Sequence, residues 1–126
     1  MMGKEISLLA VDDDPNMLES LSEVLELEGF NVRTAASAAA AQQEMAKAAP
    51  DMVLTDFQLP DGSGFELAAS VSKALPSVPV LLLTGRTMSP QEKEAGRAAG
   101  VREYVVKPFN MPELVSLLRK LASKEK

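Results

Sequence analysis

Three carboxylates stand directly after two apolar stretches of the sequence. Asp12 and Asp13 follow the run 6–11, and Asp56 closes the run that begins at Met52. Carboxylates that are brought together repel one another unless a hard cation neutralises them, and Mg²⁺, with its octahedral shell of oxygen ligands, is the expected cellular ion. The sequence therefore predicts a magnesium site, provided that these two apolar stretches end beside one another.

A hydroxyl and a cation follow two further apolar stretches. Thr84 comes after the run 80–83, and Lys107 comes after the run 102–106. A phosphate drawn to the metal would meet the Lys107 ammonium as a point charge and the Thr84 hydroxyl as a hydrogen-bond donor. Both groups would then surround a phosphoryl group carried by Asp56, so Asp56 is the candidate nucleophile.

The elements that must position these groups alternate along the chain as five strands and five helices. Such alternation is typical of an α/β fold, a doubly wound parallel sheet with helices on both faces. In these sheets the ligand site lies at the carboxyl ends of the strands. The strands are expected at 6–11, 31–35, 52–56, 80–83 and 102–106, and the helices at 15–28, 38–48, 64–75, 90–99 and 111–121.

Each polar strand end also has an ordinary structural explanation, because a single Asp at such a place often opens an Asx turn. Asp14 has a better one, since an Asp before Pro15 is a typical N-cap of a helix. Four ends of complementary chemistry nevertheless favour one site over four separate turns. The first helix should end near Gly29, with Leu27 and Phe30 completing its buried edge.

Length and composition restrict the remaining possibilities. A chain of 126 residues that is 46% hydrophobic fits a single domain spanning 1–126, with its core at about 5–122. The absence of Cys and His excludes zinc, iron–sulfur and thiol chemistry, as well as histidine acid–base catalysis within the chain. A net charge of -5 argues against direct nucleic-acid binding. The apolar stretch at the amino terminus is too short for the core of a signal peptide or for a membrane span. We therefore expect a cytoplasmic protein without a membrane partner.

Taken together, these residues resemble the receiver domains of two-component response regulators, and in particular chemotaxis regulators. The acidic pair 12–13, then Asp56, Thr84-Gly85 and Lys107-Pro108 follow the order and approximate spacing of that family, across essentially the whole chain. The resemblance implies a flavodoxin-like sheet with strand order 2-1-3-4-5. It also implies a cis peptide bond between Lys107 and Pro108.

The resemblance further implies that Asp56 accepts a phosphoryl group from the phosphohistidine of a partner histidine kinase or phosphotransfer protein. Such a domain catalyses its own phosphorylation and dephosphorylation and does not turn over small molecules. Asp13 and Asp56 would ligate Mg²⁺ directly, Asp12 would assist through water, and the backbone carbonyl of Gln58 would complete the protein ligands. The downstream target is not indicated by the sequence.

Three further residues receive roles from the same resemblance. Tyr104 would be the switch aromatic that turns inward when Thr84 moves toward the phosphoryl group; alternatively it is a half-buried strand residue with its hydroxyl in water. Gln58 and Arg86, each two residues beyond a site residue, would overhang the phosphoryl group and affect its hydrolysis. A solvated Arg86 without a role is the competing interpretation.

Two other functions remain possible on the sequence alone. A haloacid-dehalogenase-type phosphatase would use the D-x-D spacing of the run 12–14, although Pro15-Asn16 replaces the expected Thr or Val and Asp56 would have no role. A degenerate receiver domain acting as a binding scaffold is the second alternative. Receiver domains usually precede an output domain, so the chain is either a stand-alone regulator or a fragment of a larger one.

Overall fold

The computed structural model of the chain describes residues 6–124, so the predicted start of the core at residue 5 lies outside it. Strands and helices alternate along most of this range, as the sequence predicts. The strands are β1 (Ile6–Val11), β2 (Phe30–Ala35), β3 (Met52–Asp56), β4 (Gln58–Leu59), β5 (Gly62–Ser63), β6 (Val80–Thr84) and β7 (Val101–Val106), and the helices are α1 (Pro15–Leu27), α2 (Ala38–Lys47), α3 (Gly64–Ala74), α4 (Pro90–Ala99) and α5 (Met111–Lys124).

Five of the strands form one parallel sheet in the order β2-β1-β3-β6-β7. Counted among the five long strands, this is the order 2-1-3-4-5 that the family resemblance implies. The chain winds outward in one direction from β1 to β2 and in the other from β3 to β7. The order therefore reverses between β1 and β3, and this is the place where open α/β sheets bind their ligands.

Apolar side chains on both faces of the sheet produce two cores. One core packs β-strand residues against Leu21 and Leu25 of α1 and against Leu114 and Leu118 of α5. The other packs the opposite face against α2 and α3, with Leu67 completely buried. Burying one leucine side chain contributes roughly 1.5–3 kcal/mol, so these two layers hold the sheet in place beneath its polar edge.

Helix α1 begins at Pro15, as predicted, and ends at Leu27, one residue before the predicted end. The Asp14 carboxylate accepts hydrogen bonds from the backbone N–H groups of Asn16 and Met17, and Gly29 adopts a left-handed φ of 97° just after the helix. Phe30 is buried, but the expectation for Leu27 is wrong, because its side chain is 87% exposed. Leu27 lies about 200° around the helix from the buried Leu25 and therefore faces solvent.

A short antiparallel hairpin, β4–β5, lies between β3 and α3 and was not predicted. Gln58 pairs with Ser63 and Leu59 with Gly62 across it, and Pro60 and Asp61 form its turn. The Ser63 side chain then caps α3 in a reciprocal pair of hydrogen bonds with Glu66. The loop that follows Asp56 is thus an ordered turn. Within residues 6–124, no helix is both long enough and apolar enough to cross a membrane.

Candidate active site

The three predicted carboxylates converge at the carboxyl ends of β1 and β3. Val11 pairs with Thr55 in the sheet, so the residue that follows each of them reaches the same edge. Carboxylate oxygens of Asp12, Asp13 and Asp56 all lie within 4.8 Å of one another. Asp12 is buried, Asp56 is half-buried and Asp13 is exposed. A set of hard oxygen donors that is open to solvent on one side fits a magnesium ion.

Lys107 brings its ammonium to this cluster from the far edge of the sheet. Its Nζ lies 3.1 Å from Asp56 Oδ1 and 3.5 Å from Asp12 Oδ2. Because β6 separates β7 from β3, the long lysine side chain has to cross the end of β6. The Lys107 backbone N–H donates to the Thr84 carbonyl at 2.7 Å, and the Lys107-Pro108 bond is cis, as expected.

Burial and charge together set the ionisation of this cluster. Burial raises the pKa of Asp12, against the lowering effects of the Asp14 N–H and of Lys107. Burial alone would lower the pKa of Lys107, but its hydrogen bond to Asp56 and the charges of both carboxylates raise the pKa above its ordinary value. Three carboxylates outnumber the one ammonium among them, so the site attracts further positive charge.

Thr84 is the last residue of β6 and is buried, and its hydroxyl takes part in a local turn. Thr84 Oγ1 donates to the Arg86 carbonyl at 3.1 Å and accepts from the Arg86 N–H at 3.3 Å. A pocket of ≈ 360 Å³ opens beside it and also reaches Asp56, Gln58 and Arg86. The two residues expected to overhang the phosphoryl group therefore line the same pocket as Asp56.

The Arg86 guanidinium forms an ion pair within the domain that was not predicted from the sequence. It binds the Glu92 carboxylate through two hydrogen bonds of 2.9 and 2.5 Å. The hydrogen bond from Arg86, with that from the Ser89 N–H, lowers the pKa of Glu92 to about 2, and Glu92 in turn raises the pKa of Arg86. The Arg86 guanidinium is therefore held by Glu92. It neither extends unpaired over the pocket nor is bound by solvent alone.

Tyr104 lies on the same face of the sheet as Thr84 but contacts α4. Tyr104 pairs with Leu82 in the register that pairs Val106 with Thr84, so the two candidate switch residues point to one side. The Tyr104 hydroxyl donates to the Lys93 carbonyl at 3.1 Å. Burial, and secondly the charge of Glu94, raise the pKa of this hydroxyl.

Gly96 of α4 lies against Tyr104, and this contact was not predicted from the sequence. The missing side chain at position 96 leaves room for the tyrosine ring. A Cβ at position 96 would overlap the Tyr104 hydroxyl and would approach Phe65 Cε1 to 2.9 Å. A glycine inside a helix is unfavourable by itself, so its presence in α4 indicates close packing at that point.

Asp61 ties the loop after the candidate nucleophile to another helix. Its two carboxylate oxygens accept hydrogen bonds from the N–H groups of Ala38 and Ala39, at 2.9 and 3.0 Å. These backbone hydrogen bonds lower the pKa of Asp61. Ser37, the residue directly before α2, also caps this helix by accepting from the Ala40 N–H, whereas a second cap from a distant loop has no local sequence pattern.

Comparisons with known proteins agree with this geometry. The family model of the response regulator receiver domain matches residues 8–119. The probable transcriptional regulatory protein TcrX of Mycobacterium tuberculosis is 38% identical over 119 residues, which cover 94% of this chain and 50% of that protein. The transcriptional regulatory protein KdpE of the same organism is 38% identical over 112 residues, 89% of this chain and 49% of that protein. The chain thus spans about half the length of these curated relatives.

Solved structures of similar proteins have the same fold. A CheY-like receiver domain protein from Methanospirillum hungatei superposes with a TM-score of 0.91 at 29% identity, covering 97% of each chain. The chemotaxis protein CheY4 of Vibrio cholerae gives a TM-score of 0.88 at 34% identity, covering 93% of this chain and 98% of that one. From the family match over residues 8–119, these likenesses and the acidic edge beside Lys107, it follows that the chain belongs to the response regulator receiver domain family.

Proposed function

We propose that Asp56 of this domain accepts a phosphoryl group from the phosphohistidine of a partner histidine kinase or phosphotransfer protein. The observation that carries the proposal is the position of Lys107, whose Nζ lies 3.1 Å from Asp56 Oδ1 inside a group of three carboxylates. An ammonium at this place attracts the incoming phosphate and stabilises the negative charge on its oxygens.

The transfer exchanges one phosphorus bond for another. A carboxylate oxygen of Asp56 forms the new P–O bond while the P–N bond to the donor imidazole breaks, and the leaving nitrogen keeps the electron pair. This chain contains no His, so the imidazole belongs to the partner. Lys107 stabilises the negative charge on the phosphoryl oxygens, and the chain's contribution is mostly positioning and electrostatics, as in other phosphoryl transfers.

The carboxylate cluster supplies suitable ligands for Mg²⁺. Asp13 and Asp56 would hold the ion, with help from Asp12 and the backbone carbonyl of Gln58. A bound Mg²⁺ would neutralise charge on the carboxylates and on the phosphoryl oxygens. The convergence of carboxylate oxygens within 4.8 Å supports this assignment, and the buried position of Asp12 makes a compensating cation more favourable.

Phosphorylation would act on the rest of the domain through Thr84 and Tyr104. The phosphoryl oxygens offer the Thr84 hydroxyl an acceptor that competes with the Arg86 carbonyl. Movement of Thr84 toward the phosphoryl group would open space on the shared face of the sheet, and Tyr104 could leave the Lys93 carbonyl to fill it. The domain would thereby shift its population toward a state that presents a changed surface to a downstream target.

The test is intact-mass measurement after incubation with Mg²⁺ and acetyl phosphate. We expect one added phosphoryl group that hydroxylamine removes, as an acyl phosphate requires. Asp56→Asn should abolish the addition, whereas Asp51→Asn, just before the opposite end of β3, should leave it unchanged. A wild-type domain that binds Mg²⁺ but takes up no phosphoryl group would contradict the proposal. A domain that fails to bind either one would be a scaffold, the degenerate alternative.

A further inference from the structure

Arg86 and Glu92 form an ion pair that joins the site loop to helix α4. Both guanidinium NH groups take part, at 2.9 and 2.5 Å from the two carboxylate oxygens of Glu92. Such two-pronged arginine–carboxylate contacts fix orientation as well as distance. The pair therefore determines where the Arg86 charge lies relative to the neighbouring pocket.

The Arg86 side chain also lies close to a second possible hydrogen-bond acceptor besides Glu92. It lines the ≈ 360 Å³ pocket that Asp56 and Gln58 also line. Its backbone N–H and carbonyl are both hydrogen-bonded to the Thr84 hydroxyl. The Arg86 backbone is therefore fixed in position beside that pocket. A dianionic phosphoryl group on Asp56 would offer three strong acceptor oxygens to the same guanidinium.

Glu92, by contrast, is anchored where it is. Its Oε1 accepts from the Ser89 N–H at 2.8 Å, while its own N–H donates to Ser89 Oγ at 3.1 Å. This reciprocal arrangement at the first turn of α4 favours a carboxylate, since a helix amino terminus carries partial positive charge. Glu92 can therefore release Arg86 without leaving the helix cap.

We propose that Glu92 is a positioning residue that holds Arg86 away from Asp56 and competes with the phosphoryl group for its guanidinium. This inference rests on the proposed function of Asp56 as phosphoacceptor. The pair is exposed, with 58% of the Arg86 side chain accessible, and exposed ion pairs contribute little, so a phosphoryl group can compete with Glu92 for the guanidinium. Removing the Glu92 charge should shift the balance toward the phosphoryl group.

The experiment measures the affinity of the Mg²⁺-loaded domain for beryllofluoride, a stable mimic of a phosphoryl group on aspartate. Glu92→Gln keeps an acceptor for the Ser89 N–H but gives up the charge that binds Arg86. We expect beryllofluoride to bind about two- to fivefold more tightly to this variant, which is the range that one exposed ion pair can supply. Urea unfolding should show a cooperative transition with only a small fall in midpoint, because the variant keeps the cap but loses its charge.

A matched control exists on the same helix. Glu94 pairs with Arg97 at 2.6 Å, so Glu94→Gln changes the net charge equally and breaks a comparable pair that does not involve Arg86. We expect no change in beryllofluoride affinity from this control. The gain from Glu92→Gln should also disappear when it is made in an Arg86→Ala background, because the released guanidinium is then missing.

Two results would overturn the inference. Equal beryllofluoride affinity in wild type and Glu92→Gln would show that Glu92 does not restrain Arg86. A gain that persists in the Arg86→Ala background would show that Glu92 acts by general charge alone. A wild-type domain that binds Mg²⁺ but no beryllofluoride would instead contradict the proposed function of Asp56, and this inference with it.

Discussion

The Lys107 ammonium lies 3.1 Å from the carboxylate of Asp56, although the two residues belong to strands that are not neighbours in the sheet. The same Nζ is 3.5 Å from Asp12. One cation thus serves both the candidate nucleophile and a buried carboxylate. Its removal should affect metal binding and phosphoryl uptake in opposite directions.

Lys107→Met provides that test, since methionine keeps much of the chain length without the charge. We expect phosphoryl uptake from acetyl phosphate to slow by on the order of a hundredfold, because a donor to the developing charge is lost. Mg²⁺ affinity should rise, because the carboxylates then lack their internal cation. Lys120→Met, at an exposed position of α5, is the control for charge loss. Mg²⁺ affinity that falls in Lys107→Met would contradict this picture.

Asp13→Asn should weaken Mg²⁺ binding by about tenfold or more, because the ion loses a charged oxygen ligand. Without Mg²⁺ the same variant should be at least as stable as wild type, since one of three repelling carboxylates is gone. Asp14→Asn is a close control, because asparagine is an equally good N-cap and Asp14 is outside the carboxylate cluster. Calorimetric titration with Mg²⁺ measures the first effect and urea unfolding in EDTA the second. Unchanged Mg²⁺ affinity in Asp13→Asn would remove it from the ligand set.

Gly96→Ala should destabilise the domain by about 1–3 kcal/mol, the usual cost of overfilling a packed contact. The new methyl group would overlap the Tyr104 hydroxyl. Tyr104→Phe removes that hydroxyl, so the cost of Gly96→Ala should be smaller in the Tyr104→Phe background. Urea unfolding of the four proteins gives the coupling. Equal costs in both backgrounds would mean that the two residues do not meet.

Asp61→Asn tests the tie between the site loop and α2 through its dependence on pH. The N–H groups of Ala38 and Ala39 depress the pKa of Asp61 in the folded state. The stabilisation that Asp61 provides is therefore present above its ordinary pKa of 3.8 and is lost as the pH falls through the lower folded value. We expect wild type to be more stable than Asp61→Asn at pH 7, and the difference to shrink with acidification to about pH 2. A difference in urea midpoint that does not vary with pH would contradict this role.

The sequence was sufficient for the features that depend on local pattern. Apolar runs ending at Asp12, Asp56, Thr84 and Lys107 predicted the strands and the edge where their ends converge, because parallel strands share the direction of their carboxyl ends. The strand order itself came from the family resemblance. Asp14 was recognised as a cap because Pro15 follows it.

The features that the sequence did not reveal depend on the relative placement of distant segments or on helix phase. Asp61 caps a helix that begins 23 residues earlier in the chain, and no periodicity reports such a contact. The ion pair between Glu92 and Arg86 was not predicted, because it depends on the path of the intervening loop. Leu27 was placed in the core by its apolar type, although its angle on α1 points it to solvent.

The central claim, that Asp56 carries the phosphoryl group, can be tested by reduction of the phosphorylated domain with borohydride. This reagent converts an aspartyl phosphate to homoserine and leaves free carboxylates intact, so peptide mass spectrometry then identifies the residue. We predict homoserine at position 56 after treatment with Mg²⁺ and acetyl phosphate, and unmodified Asp56 when acetyl phosphate is omitted. Homoserine at Asp12, Asp13 or another acid, with Asp56 unmodified, would contradict the account.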